Sequence, residues 1–174
     1  MHMIIQVILP ASNKKEALDM AKPVFDGIAG EGKPFDYYQT FDEPGTQVSG
    51  KGRYGAVPAV LMVKSKAGKK MVTDGFNATK RYFMENLARV RKALVCYTDE
   101  QLFGEGGQIT TSADIDLTLA RHNMYNAGKY DGSSVFQYDQ WGSGIRTPRE
   151  LKNAMDVKLK PGEKLYVVPA DVHF

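Results

Sequence analysis

Residues 4–9, Ile-Ile-Gln-Val-Ile-Leu, form a largely β-branched apolar run closed by Pro10. A run that does not alternate polar with apolar positions reads as a central strand buried on both faces. Ser12 or Asn13 then offers an N-cap, and Ala17, Met20, Ala21, Val24 and Ile28 fall on one stripe of a helix that follows. Pro23 lies inside that helix and predicts a kink or break. Residues 35–41 alternate Phe35, Tyr37, Gln39 and Phe41 against Asp36, Tyr38 and Thr40, so the chain opens β-α-β.

Further along, a four-glycine loop spans 44–55, and residues 57–63 and 70–73 flank Ala67-Gly68 as an expected hairpin. Residues 76–96 read as a helix, with Phe76, Phe83, Leu87, Val90 and Leu94 on one seam. Thr98 caps a short turn over 99–102. Ser112, with Asp114 and Asp116 in the first turns, starts a helix that reaches Asn126 and stops at Gly128. A strand is expected over 134–138. Thr147-Pro148-Arg149-Glu150 is a capping box with proline at the first helical position, opening a helix to about residue 155. Residues 165–168 and 172–174 form a last strand interrupted by Pro169, which predicts a sheet edge.

The expected fold is a single α/β (α+β) domain over residues 1–174, a sandwich with a mixed sheet. Its element order resembles a ferredoxin-like half with a C-terminal α-β-α-β extension. A chain of 174 residues, 43% hydrophobic and 25% charged, suits one well-buried core and lies outside the composition of disorder.

Charge is distributed unevenly. Residues 51–92 hold 11 of the 23 lysines and arginines and two carboxylates, Asp74 and Glu85, a net +9 within an overall +3. Such a face concentrates polyanions around it. Lys64, Lys66, Lys69 and Lys70 crowd the expected hairpin tip, and Lys51, Arg53 and Tyr54 sit in the glycine-rich loop before it. Backbone N–H groups and cations suit phosphates, and Tyr54 suits base stacking, so this segment predicts a nucleic-acid or other polyanion partner. The competing reading is a lysine-protected sheet edge. In the helix over 76–96, Glu85 is spaced to pair with Arg81 and Arg89 on an ordinary solvated face.

Two glycine loops invite a phosphate reading. Residues 45–52 follow the P-loop pattern until Gly52 replaces the magnesium-binding Ser or Thr, and the pattern leads into an expected strand instead of a helix. Gly142-Ser143-Gly144 with Arg146 lies between an expected strand and a capped helix. It is the alternative site, for a small phosphorylated or acylated compound. A third reading is an assembly protein that dimerises through the strand at 165–174.

Catalytic groups are sparse in pattern. His2, His122 and His173 have no metal-ligand spacing, and Asp114 and Asp116 diverge on one helix. His122 with Tyr125 is a candidate base, and the sequence holds no nucleophile elbow. Cys96, alone among apolar neighbours, reads as a buried small hydrophobe that fits a reducing compartment. No cofactor, no metal, no membrane span and a cytoplasmic setting are expected, and the leading expectation is a non-catalytic binding protein.

Overall fold

A computed structural model of the chain describes residues 1–103, 135–155 and 159–174. The expected helix from Ser112 to Asn126, with His122 and both aspartates, lies outside the described residues. The chain falls into two units, Met1–Thr79 with Gly132–Phe174, and Lys80–Asp131.

The first unit holds a five-stranded mixed sheet, and the protein has an α/β fold. Strand β1 (His2–Ala11) is central, with β5 (Lys164–His173) antiparallel on one side and β4 (Gln137–Tyr138) parallel on the other. Beyond β5, strand β2 (Tyr37–Thr40) and the two-residue β3 (Leu61–Met62) both pair antiparallel with it. β1 and β2 therefore run parallel with β5 between them, a split β-α-β.

The final strand is interior, which corrects the expectation of a sheet edge and of a dimer formed along it. Its ladder explains how Pro169 is tolerated. Phe174 N–H donates to Met1 O, and this fixes the alternation so that Pro169, opposite Gln6, occupies a non-hydrogen-bonded pair with β1. Its missing N–H therefore faces the other side. There β3 pairs with residues 166 and 167 and β2 with 170–173, so position 169 falls between two partners. The donor is lost where no ladder bond is needed.

Helix α1 (Lys14–Ile28) covers one sheet face. Asn13 is the cap that accepts from Glu16 N–H at 3.0 Å, while Glu16 Oε2 accepts from Ser12 N–H at 2.8 Å. The helix passes through Pro23 unbroken, held by Ala17, Ala21, Val24 and Phe25 against the sheet. Odd-numbered residues of β1, from Ile5 to Leu9, and Val168, Ala170 and Val172 of β5 supply the facing core.

The opposite face is covered by α3 (Lys66–Cys96), whose Val72 and Phe76 pack on Ile8, Ile145 and Val167. No hairpin forms at 57–73. Residues 51–54 form a one-turn helix, α2 (Lys51–Tyr54), in what the glycine content suggested was loop. α3 begins ten residues earlier than its apolar seam implies. Ser65 caps it, its Oγ accepting from Gly68 N–H at 3.0 Å. Gly68 serves close approach and not a turn: a Cβ there would stand 2.1 Å from Met62 O. Gly68→Ala is expected to cost about 1–3 kcal/mol, as overpacking does, read as a lower urea midpoint at unchanged m-value.

In the second unit, the rest of α3 places Phe83, Leu87 and Val90 half-buried, but Leu94 is exposed. Cys96 is exposed at the helix end, against the expected burial, because the apolar run 94–96 continues past the packed turns. α4 (Asp99–Phe103) follows Thr98 as expected. The Glu85 pairs with Arg81 and Arg89 are not among the ion pairs of the described residues. Helix α5 (Pro148–Met155), in the first unit, begins at the expected capping box: Glu150 N–H donates to Thr147 Oγ1 at 3.1 Å, and Arg146 N–H donates to Glu150 Oε2 at 2.7 Å.

A cation-rimmed cleft and its polar neighbour

Between α2 and the first turns of α3 lies an open cleft of about 550 Å³ on the α3 side of the sheet. Ile4 and Gln6 of β1 form its floor with Phe136. Tyr54 and residues 56–58 form one wall, and Ala67, Lys70, Met71 and Asp74 form the other. The surface is mainly apolar. Its polar groups are the Gln6 amide, the Tyr54 phenol and the Lys70–Asp74 ion pair. That pair is exposed on both sides and contributes little to stability.

Two of the seven residues expected to bind a polyanion, Tyr54 and Lys70, line this cleft directly. Lys51 and Arg53 are exposed on α2, the turn that carries Tyr54, while Lys66 and Lys69 are exposed on the first turns of α3. Lys64 is exposed in the β3–α3 connection. The lysines thus stand on a helix start and its lead-in, where a hairpin tip was expected. Among the described ion pairs, Lys70 is the one cation of this set that has a carboxylate.

Tyr54 is held in place from two sides. Its ring meets Phe41 edge-on at 6.3 Å, and the Arg53 guanidinium lies 5.7 Å from its centroid. Burial pushes its phenol above the ordinary range; a hydrogen bond from Arg53 opposes the shift and the charge of Asp171 adds to it. At neutral pH the group is therefore a neutral donor with an aromatic face.

The glycine-rich loop is tied to the sheet beneath it. Gly50, at φ 57°, donates its N–H to Asp171 Oδ2 at 2.8 Å. Ser49 Oγ donates to Gln39 Oε1 at 2.5 Å and meets Thr46 Oγ1 at 2.7 Å. The P-loop-like stretch opens a helical turn at Lys51, where a strand was expected to follow it, but four residues give no sustained helix axis toward a phosphate.

Asp171 is 1% exposed and also holds His2, whose Nδ1 lies 3.0 Å from Oδ1. Sequence reasoning passed over this cluster. His2, His173 and Tyr37 stand opposite one another across β1, β5 and β2, and Ile4, Asp171 and Gln39 form the next row. A legible signal was present: Asp171 and His173 are polar residues at alternate positions of an apolar strand.

The alternative glycine loop borders α1, on the opposite face of the sheet. Three of its backbone donors are already engaged. Trp141 N–H and Ser143 N–H donate to Asp139 Oδ1 at 2.8 and 2.9 Å, and Gly142 N–H donates to Asp139 O at 3.1 Å. Of the four residues expected to hold an anion, Gly142, Ser143, Gly144 and Arg146, Ser143 thus gives its N–H to an internal carboxylate and Gly142 gives its own to a main-chain oxygen. Trp141 is 80% exposed and so is not a core residue; it lines a shallow cavity against α1 with Met20, Val24 and Ile28.

No helix among the described residues is long and apolar enough to cross a membrane, and no group of three or more His, Cys, Asp or Glu among them could hold a metal ion. Fold and site together define an α/β sheet protein with an open, cation-rimmed cleft beside a histidine-carboxylate cluster. Over residues 1–174 the chain matches the model of the Domain of unknown function family DUF7995, and it belongs to that family. No curated protein and no solved structure matches it.

Proposed function

We propose that the protein binds single-stranded nucleic acid along the cleft between α2 and α3. One observation carries this reading: the elements that bear Lys51, Arg53, Lys66, Lys69 and Lys70 are the two walls of a single apolar cleft that also contains Tyr54. Bases stack on aromatic and apolar surface, and a flanking row of cations follows the phosphates. Duplex is the poorer fit, because its bases are already stacked and leave the Tyr54 face unused. The anion-site alternative at residues 142–146 has less support, since the Asp139 carboxylate takes the Trp141 and Ser143 N–H groups.

Fluorescence polarisation of labelled single strands at several salt concentrations tests the proposal. Affinity is expected to fall steeply with salt, at a log–log slope of about −0.7 per neutralised phosphate. A Lys66→Gln, Lys69→Gln double variant should reduce that slope by roughly 1.4, two contacts' worth. Tyr54→Ala should weaken binding by about 1–3 kcal/mol, one stacked base, with the slope unchanged. Affinity that does not respond to salt would exclude phosphate recognition at this surface.

A further inference from the structure

We propose that His2 and His173 form a general acid–base pair that cleaves RNA bound beside it. The inference rests on the nucleic-acid reading above and adds a reaction to it. His2 Nδ1 lies 3.0 Å from Asp171 Oδ1, and His173 Nδ1 lies 2.8 Å from Asp36 Oδ2. A carboxylate only accepts, so each Nδ1 carries a hydrogen and each Nε2 is the ring's proton-exchanging atom, which in this structure meets a neighbouring polar group that RNA would have to displace. The two rings are 4.9 Å apart between centroids. Tyr37 stacks on His173 at 5.1 Å, and its hydroxyl is 3.3 Å from His2 Nε2, a long contact from a ring that is 44% exposed. His173 Nε2 faces the Met1 amine at 3.2 Å. The groups that face the pair are therefore Asp171, Asp36, Tyr37 and that amine.

Position links this pair to the cleft. Ile4, on the cleft floor, follows His2 by two residues on the same face of β1, roughly 7 Å along the strand. Asp171, which orients His2, also accepts Gly50 N–H immediately before Lys51 and Arg53. One buried carboxylate thus fixes both the imidazole and the basic turn.

RNA supplies its own nucleophile. One neutral imidazole takes the proton of a ribose 2′-hydroxyl as that oxygen's lone pair bonds to the adjacent phosphorus. The other, as imidazolium, gives a proton to the 5′-oxygen, which leaves with the electron pair of the P–O5′ bond. The products are a 2′,3′-cyclic phosphate end and a 5′-hydroxyl end, with one proton taken up and one released. Asp171 and Asp36 are positioning residues. DNA, which lacks the 2′-hydroxyl, should bind without being cut.

The test uses the full chain with fluorescein-labelled RNA and DNA of one sequence, read both by polarisation and by gel. RNA is expected to be cleaved to cyclic-phosphate ends with a bell-shaped pH dependence. His2→Ala and His173→Ala should each lower the rate by about 100-fold or more and remove one limb of the bell, with DNA binding intact. His2→Asn keeps a donor toward Asp171 and provides the same test if His2→Ala does not fold. Asp36→Asn should shift one limb of the bell without altering DNA binding. If both oligonucleotides bind and RNA stays intact, the acid–base proposal is wrong and the binding proposal stands. If neither binds and none is cut, both fail. Cleavage that persists at the parent rate in the double histidine variant identifies a contaminating nuclease and overturns the proposal.

Discussion

Asp171→Ala is expected to lower the stability of the fold by about 3 kcal/mol, because it leaves the buried Gly50 N–H and the half-buried His2 ring without an acceptor, at roughly 1–3 kcal/mol each. The carboxylate is 1% exposed and receives Gly50 N–H at 2.8 Å and the His2 ring at 3.0 Å. It joins three parts of the chain that share no local sequence: the start of β1, the end of β5 and the loop that leads into α2. Asp171→Asn keeps the volume and one acceptor oxygen, and a loss of about half that size is expected. Urea denaturation of the two variants beside the parent decides the matter. A change below about 0.5 kcal/mol for Asp171→Ala, the scale of an ordinary surface substitution, would mean that the carboxylate holds nothing together. Because Gly50 precedes Lys51 and Arg53, the same variant should also weaken oligonucleotide binding.

Phe25→Ala is expected to cost about 3–5 kcal/mol, the range for removing a buried aromatic side chain. Phe25 is fully buried between α1 and the sheet, and its ring lies 5.2 Å from that of Tyr38. Tyr38 is held in turn, its hydroxyl donating to Asp26 at 2.7 Å, so the site has limited freedom to collapse around a void. The cleft lies on the opposite face of the sheet, and any protein that remains folded should bind with the parent's salt slope. An accompanying loss of binding below the unfolding transition would show that the two faces are coupled.

What could be read from the sequence was what local chemistry decides. Ser12 or Asn13, and Thr147 with Glu150, announce helix starts because a cap is satisfied within four residues, and the structure selects Asn13 for the first. The largely apolar run of β1, with Gln6 inside it, announces a buried strand because the lack of alternation is likewise a local pattern. Residues 57–73 show where this stops. Ala67-Gly68 between apolar stretches looked like a turn, yet Ser65 is a cap and Gly68 is small because helix and β3 backbones nearly touch. The lysines kept their exposure and changed their element. Pro169 was read as an edge marker, although a strand with different partners along its length can hold a proline inside a sheet.

By itself, then, the sequence determined the α/β class, the capped starts of α1 and α5, and the concentration of positive charge in 51–92, since each depends on residues a few positions apart. Only the tertiary structure decided that β5 enters between β1 and β2, and so that His2 meets Asp171 at a sequence separation of 169. The physical reason is register. Strand pairing is set by the combined burial of two faces and by closure of the whole chain, and no local pattern encodes which distant residue will lie opposite.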